Sequence, residues 1–247
     1  MKIGITERGD PSLDYSWETR MHKVDGAILI TKKLTNKLIE RLKPFYNKVI
    51  VHVTCTGYGS TILEPNIPKP SVQIAQALKL ISAGLPKENI VIRVDPIIPT
   101  VKGIERARKV IVYAANKGFR RFRISLIDMY PHVRNRFEEN NLPLPYGKNV
   151  FSPDSASIKR TNELIKELKL VYDDIHIESC AEKDLNQAEA TGCVGPKDLR
   201  ILGLPTTQSD QVGFQRGACL CCSGKTELLK DKKQCPYKCL YCYWKNE

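Results

Sequence analysis

Three cysteines close to the end of the chain have the spacing of an iron-sulfur ligand loop. Cys235, Cys239 and Cys242 form a C-x3-C-x2-C pattern in the stretch CPYKCLYCYW. A 4Fe-4S cube is normally held by four thiolates, so three thiolates from one loop leave one iron open. An open iron can chelate the amino and carboxylate groups of a small molecule and pass it an electron. The pattern therefore predicts a catalytic cluster.

Other cysteines late in the chain predict a second metal site. If the tail folds back over the body, four thiolates can meet around a second, fully ligated 4Fe-4S cluster that relays electrons or binds substrate. The predicted ligands are Cys180, Cys193, Cys219 and Cys221, with Cys222 as a substitute. Two alternatives stay open, namely buried apolar thiols at the first two positions and zinc at the tail cysteines.

Composition favours a metal-binding globular protein of a reducing compartment. With 247 residues and 42% hydrophobic content the chain can bury one proper core. Nine cysteines, an odd number clustered late, favour metal ligation over a disulfide framework. The start MKIGITERGD has no apolar signal region, and no run approaches the ~18 apolar residues of a membrane span. We therefore expect a cytoplasmic protein without a membrane partner.

The charge balance is strongly basic. A net charge of +12 favours a polyanionic partner or an anionic substrate. Much of this charge falls in one predicted helix and the strand after it, at Lys102, Arg106, Arg108, Lys109, Lys117, Arg120, Arg121 and Arg123. Nucleic acid is one candidate partner. A solvated basic helix face is the other interpretation.

Short β-branched runs alternate with helical stretches, and this pattern favours βα units and a parallel sheet. The predicted strands are 2–6, 26–31, 49–54, 90–95, 122–127, 175–178 and 200–202. The predicted helices are 35–42, 71–83, 104–117 and 155–168. The sequence thus predicts an α/β fold, a partial (β/α) barrel of six or seven mostly parallel strands over 1–204. The cysteine-rich tail, 205–247, is expected to close the barrel mouth.

Polar residues gather where the predicted strands end, which is where parallel α/β folds bind ligands. Arg93 and Asp95 are two residues apart in one strand, so both side chains leave the same face. Inside a barrel they need either a bound ligand or each other as an ion pair, because an unpaired buried charge is costly. Other strand ends supply Ser125, Glu178, Arg8, Asp10, Tyr58, Asp128 and Tyr130.

The tail spacing, with the aromatic Tyr241 just before the third cysteine, resembles the signature of the radical S-adenosylmethionine superfamily. A signature at the C-terminus is similar to that of one uncharacterised, domain-of-unknown-function family within it. The segments that carry this resemblance are TGYGSTILEPNIP at 56–68, RVDPI at 93–97, SLIDMY at 125–130, SCAE at 179–182 and QRGACLC at 215–221. The resemblance therefore extends over nearly the whole chain.

This resemblance implies S-adenosylmethionine as cofactor and a one-electron reductant such as flavodoxin or ferredoxin. The cluster would reductively cleave the cofactor, and the 5'-deoxyadenosyl radical would take a hydrogen from an unknown substrate, with nucleic acid or a nucleotide among the candidates. The residues expected around the cofactor are Tyr241, Arg93, Asp95, Ser125 and Glu178. Those expected toward the substrate are Arg8, Asp10, Tyr58, Asp128 and Tyr130.

Two other classes of protein fit part of the sequence. A zinc-ribbon nucleic-acid-binding module would use the six tail cysteines and the basic charge, but it leaves the βα body unexplained. A non-catalytic iron-sulfur electron carrier would use the same thiolates, but it does not need a rim of charged strand ends.

Overall fold

In the described part of the chain, the fold is an open, curled sheet of eight parallel strands that forms a half-barrel. The structure is a computed structural model that describes residues 1–206, 220, 225–230 and 234–244. The strands are β1 (Ile3–Ile5), β2 (Gly26–Thr31), β3 (Val49–Thr54), β4 (Ile90–Ile97), β5 (Arg121–Leu126), β6 (His176–Cys180), β7 (Glu189–Thr191) and β8 (Lys225–Glu227). Their order in the sheet is β7-β6-β5-β4-β3-β2-β1-β8, so the predicted partial α/β barrel is confirmed.

Six α-helices occur in the described part of the chain, and three of them start at a side-chain cap. They are α1 (Asn36–Leu42), α2 (Pro70–Ser82), α3 (Val101–Asn116), α4 (Pro131–Glu139), α5 (Ser155–Val171) and α6 (Pro196–Ile201). Thr35, Thr100 and Asp154 each accept a hydrogen bond from a backbone N–H of the first turn. Such caps satisfy donors that the helix itself leaves unpaired.

The predicted strand count is too low, because two short strands have no clear sequence signal. β7 and β8 have three residues each, and the polar β8 pairs along β1. The predicted strand at 200–202 is wrong, since this segment ends α6. Pro196 at the first helical position and the Asp198 side chain, which accepts from Gly195 N at 2.8 Å, start a helix instead.

Two hydrophobic layers hold the sheet. The larger layer packs the outer sheet face against the helices and includes Val49, Val51, Val53, Ile92 and Val94. The smaller layer fills the inside of the half-barrel with Ile3, Ile5, Ile28, Ile50, Val91, Val194 and Leu199. Strand residues therefore alternate between the two faces, as the pleat requires.

A buried ion network lies inside the half-barrel beside α6. Asp198 of α6 contacts Arg121 at 2.7 Å and Arg123 at 3.1 Å, and Arg123 also contacts Glu178 at 2.7 Å. Arg121 further donates to Glu88 O, just before β4 starts, which places the network toward the amino ends of the strands. All four charged partners are at most 4% exposed, so the network fastens α6 to the sheet.

Acid should weaken the fold through Asp198. Burial alone would raise its pKa, but Arg123 and Arg121 outweigh burial and lower the pKa from 3.8 to about 2. A depressed carboxyl pKa stabilises the fold above the unfolded value, by about 2 kcal/mol here. We expect Asp198→Asn to lower the free energy of unfolding by that amount at pH 7. Urea denaturation should show the two proteins converging as pH falls from about 4 to about 2. A difference that stays constant with pH would contradict this assignment.

The basic run around α3 is largely engaged by neighbouring groups. Arg121 and Arg123 belong to the buried network. Surface ion pairs join Arg108 to Glu105 and Glu167, Lys109 to Glu105, and Arg120 to Asp174. The run therefore does not form an uninterrupted positive face, and nucleic-acid binding stays a prediction.

Among the described residues, no helix is both long and apolar enough to cross a membrane.

Candidate functional site

A cavity of about 400 Å³ lies at the carboxyl ends of the strands, and all three cysteines of the C-x3-C-x2-C loop line it. Residues from the end of the chain form one wall, and strand ends form the others. Of the predicted cofactor and substrate residues, those in the lining are Arg8, Asp10, Arg93, Asp95, Ser125, Asp128, Tyr130 and Tyr241. The structure thus brings most of the residues singled out in the sequence to one place. Their individual roles stay predictions.

The cysteine loop is compact, and its thiols are partly buried. Cys242 N donates to Cys239 O at 3.1 Å, and Lys238 has a positive φ of 54° where the loop turns. Burial raises the pKa of the Cys239 thiol to about 12 and also raises that of Cys235. The charge of Cys242 acts on both thiols in the same direction. All three thiols share one wall of the cavity.

Three parts of the barrel hold this loop. The loop after β3 contributes two bonds, Leu240 N to Leu63 O at 3.1 Å and Asn66 Nδ2 to Pro236 O at 2.7 Å. The segment after β1 contributes Ser12, whose hydroxyl lies 2.9 Å from the hydroxyl of Tyr237. Helix α4 contributes Arg136, which donates to Cys242 O at 2.8 Å and to Trp244 O at 3.1 Å.

A buried polar cluster under the cysteine loop joins the tail to the sheet. The Oε1 atom of Glu64 accepts from Thr56 Oγ1 at 2.5 Å, from Lys32 Nζ at 2.5 Å, and from the Tyr241 hydroxyl. The Lys32 ammonium also contacts the Tyr241 hydroxyl and lies 5.0 Å from the centre of its ring. Burial, with the adjacent Glu64 carboxylate, raises the pKa of Tyr241 well above its ordinary value. Tyr241 therefore acts as a neutral donor that anchors the loop.

Tyr241→Phe should destabilise the protein by about 2 kcal/mol, because the Glu64 carboxylate then loses one of its buried donors. Urea denaturation followed by circular dichroism measures the effect. Tyr243→Phe is the matched control in the same loop, since the Tyr243 side chain is half exposed and its hydroxyl lies 3.3 Å from Glu7 O. We expect the control to change stability by less than about 0.5 kcal/mol. Equal losses in both variants would refute the anchoring role.

Arg93, Asp95 and Ser125 form a connected group at the cavity wall, on the lumenal face that the sequence parity predicts. Arg93 Nη2 pairs with Asp95 Oδ2, and Ser125 Oγ donates to Asp95 Oδ1 at 2.6 Å. The internal ion pair weighed from the sequence is therefore present. In the described residues, the buried Nε of Arg93 has no hydrogen-bond partner. An unsatisfied charged donor beside a cavity is a place where a ligand oxygen can bind.

Several predicted site residues have other surroundings. Tyr58 is buried beside α3, with the Arg106 guanidinium 5.4 Å from its ring centre, and it does not line the cavity. Glu178 belongs to the buried ion network and is also absent from the lining. Asp10 lines the cavity, but its carboxylate accepts from Thr31 Oγ1 at 2.8 Å and from Lys32 N at 2.6 Å. It therefore also fastens the end of β1 to that of β2.

Of the cysteines predicted to bind a second cluster, the structure describes two. Cys180 and Cys193 lie with their sulfurs 3.6 Å apart, and Cys219, Cys221 and Cys222 lie outside the described residues. Within the described ranges, which include the three cysteines of the loop, no group of three or more His, Cys, Asp or Glu side chains is arranged to hold a metal ion. The buried Cys55 lies in the core.

A family model, described as a domain of unknown function (DUF1848), matches residues 10–244. The chain belongs to this family. The matched range contains β2 to β8 and the cysteine loop of this chain. No curated protein matches the DUF1848 chain.

Sequence reasoning missed three side chains of this DUF1848 protein that contact the cysteine loop. Lys32 follows β2, so its place at a strand end was a usable signal. Glu64 stands inside the TGYGSTILEPNIP segment, although nothing in that segment indicates a contact with the tail. Arg136 lies on α4, a helix that the sequence pattern did not predict. Its bonds to the cysteine loop depend on tertiary packing alone.

Proposed function

We propose that the protein is a radical S-adenosylmethionine enzyme whose site is the cavity at the strand ends. One observation carries the proposal: all three thiols of the C-x3-C-x2-C loop line the same cavity as Arg93, Asp95 and Ser125. A zinc ribbon or an electron carrier would not need its thiols to face a cavity of charged strand ends. Parallel α/β folds bind their ligands at this end of the sheet, which supports the same assignment.

The donor set fits the proposed cofactor in the type and the sequence spacing of its ligands. Three thiolates from one short, partly buried loop match the ligands of a 4Fe-4S cluster with one open iron. When bound there and reduced, the cluster would supply the electron that breaks a carbon-sulfur bond of S-adenosylmethionine and yields the 5'-deoxyadenosyl radical. The chain's task is to hold Cys235, Cys239 and Cys242 in place. The hydrogen bond that Arg136 donates to Cys242 O and the one that Leu63 O accepts from Leu240 N serve that purpose.

Polar side chains of the wall would orient the cofactor. The unpartnered Nε of Arg93 can donate to the methionine carboxylate, which also replaces a missing hydrogen bond. Asp95 and Ser125 form a pair of oxygen groups that can bind ribose hydroxyls. The ring of Tyr241 supplies an apolar surface for the adenine, while its hydroxyl stays bound to Glu64. In this arrangement Tyr241 both fastens the loop and shapes the pocket.

The aromatic lining would exclude water and stray reactants. Tyr130, Tyr237, Tyr243 and Trp244 line the cavity around the cysteines. A primary alkyl radical attacks whatever lies nearest, so a closed and ordered wall protects both the chain and the intermediate. The substrate that donates the hydrogen is unidentified, and a nucleotide or nucleic acid remains a candidate. The proposal also requires a one-electron reductant such as flavodoxin or ferredoxin.

Product analysis tests the proposal. The protein is purified and reconstituted with iron and sulfide without oxygen, then reduced with dithionite in the presence of S-adenosylmethionine. We expect 5'-deoxyadenosine and methionine in equal amounts, in a protein that contains iron. A colourless preparation that holds only zinc would overturn the proposal in favour of the zinc ribbon. An iron protein that forms neither product would overturn it in favour of the electron carrier.

A further inference from the structure

A pair of thiols lies inside the half-barrel, apart from the tail cysteines. Cys180 ends β6, and Cys193 follows β7. Their sulfurs are 3.6 Å apart and are not joined by a disulfide bond. Neither residue lines the cavity that the three cysteines of the C-x3-C-x2-C loop line. The pair therefore needs its own explanation.

The separation of the two sulfurs matches two ligands of one metal ion. Metal-sulfur bonds of about 2.3 Å at a tetrahedral angle place two thiolates about 3.8 Å apart. The observed 3.6 Å is close to this value. Thiolates that bind different irons of a cubane lie farther apart, because each iron occupies its own corner. The pair thus fits a site with a single metal ion better than it fits two corners of a 4Fe-4S cube.

The backbone around the pair is fixed before any metal binds. Cys180 pairs with Thr191 in the register between β6 and β7. The carbonyl of Cys193 accepts a bond of 2.9 Å from Arg123, which the buried ion network itself holds. Because both cysteines are positioned by the sheet and by this network, little reorganisation is needed for them to chelate an ion.

The charged groups next to the pair are balanced among themselves, so the two thiolates alone can balance a divalent ion. Glu7 lies close enough to Cys193 to interact with it electrostatically, and the carboxyl group of Glu7 lies 2.7 Å from Lys225 Nζ. The Arg93 guanidinium also interacts electrostatically with both thiols, but its charge is balanced by Asp95, its ion-pair partner. Two thiolates neutralise one divalent cation, so the site carries no large excess charge when it is filled.

We propose that Cys180 and Cys193 together bind one thiophilic divalent cation, of the zinc or ferrous type, through two thiolates. Binding releases the two thiol protons, and the remaining coordination positions take water or other exogenous ligands. Two sulfur ligands are typical of such ions and not of magnesium or calcium. This proposal does not rest on the proposed function, because it uses none of the three cysteines of the tail loop.

Cobalt(II) serves as the probe, because a cobalt-thiolate bond absorbs in the near ultraviolet. The full chain is prepared under reducing conditions with its six tail cysteines replaced by alanine, at positions 219, 221, 222, 235, 239 and 242. We expect this protein to bind one equivalent of cobalt with thiolate charge-transfer absorption. Adding Cys180→Ala or Cys193→Ala should weaken binding at least about 100-fold, because each removes a direct ligand. Adding Cys55→Ala, the matched control for a buried thiol elsewhere, should leave binding unchanged.

A second preparation keeps the test informative if the variant with six alanine replacements does not fold. In the otherwise unchanged chain, Cys180→Ala and Cys193→Ala should each remove one equivalent of bound cobalt relative to Cys55→Ala. Circular dichroism checks that each variant is folded. Binding that survives Cys180→Ala overturns the proposal. So does a Cys180–Cys193 disulfide in anaerobically reduced protein, or a Cys180-dependent load of four irons.

Discussion

Cys239→Ala is expected to lower 5'-deoxyadenosine formation at least about 1000-fold, which exceeds the ~100-fold cost of losing an outer-shell partner of a metal. Cys239 is the middle thiol of the loop and is held near Cys235 and Cys242 in the cavity wall. Without it, only two thiolates of the loop remain, too few for a cluster with three protein ligands. The measurement is product formation per protein after anaerobic reconstitution, together with the iron content of the variant.

The control for this prediction is Cys55→Ala. Cys55 is also a buried thiol, but it lies in the core and does not line the cavity. We expect the control variant to bind the same amount of iron as the parent and to form 5'-deoxyadenosine at a comparable rate. A Cys239→Ala protein that still forms 5'-deoxyadenosine at the parent rate would refute the cluster assignment.

Arg123→Met should lower the free energy of unfolding by about 3 to 5 kcal/mol. The arginine is 1% exposed and contacts both Glu178 at 2.7 Å and Asp198 at 3.1 Å. Removing its charge leaves two buried carboxylates that share Arg121 as their cation. An uncompensated buried charge is more costly than the lost hydrogen bonds themselves. Urea denaturation of the metal-free protein measures the change.

Arg41→Met is the matched control for an arginine in an ion pair. Arg41 Nη1 lies 3.0 Å from Glu18 Oε2, and its side chain is 50% exposed. Exposed pairs of this kind contribute at most about 1 kcal/mol, because water screens the charges. A loss at Arg123 no larger than that at Arg41 would contradict the view that the buried network fastens α6 to the sheet.

The central strands were readable from the sequence because they are continuous apolar, β-branched runs. The predicted bounds of β2, Gly26–Thr31, and of β3, Val49–Thr54, agree with the structure. β8, with the residues Lys-Thr-Glu, carries no such signal. It becomes a strand because β1 offers a free edge and because Lys225 pairs with Glu7 at 2.7 Å. A strand defined by its partner cannot be found from its own residues.

The candidate site was likewise only partly predictable from the sequence. The alternation of side chains along β4 and β5 was enough to put Arg93 and Asp95 on one strand face and Ser125 on the face of Arg123, and the structure shows that Arg93, Asp95 and Ser125 meet at the cavity. The contacts of Glu64 with Tyr241 and of Asp198 with Arg123 join segments that are distant in sequence. Spacing and periodicity describe one segment at a time. Contacts of this kind therefore need the folded structure.

The tail contributes to the fold as well as to the site. β8 extends the sheet beside β1, and the cysteine loop is bonded to the loop after β3 and to α4. Loss of loop contacts should therefore lower stability and, under the proposed function, cofactor binding together. Removing a single anchor, such as the Tyr241 hydroxyl in Tyr241→Phe, separates the effect on stability from the effect on binding better than truncation of the tail does.

Electron paramagnetic resonance of the reduced protein, recorded with and without S-adenosylmethionine, tests the central claim most directly. If the cluster on Cys235, Cys239 and Cys242 has an open iron, the reduced protein gives a 4Fe-4S signal that changes when S-adenosylmethionine is added. Cys239→Ala should lack that signal. A 4Fe-4S signal that S-adenosylmethionine leaves unchanged would contradict the account, as would a reconstituted protein that contains zinc and gives no signal.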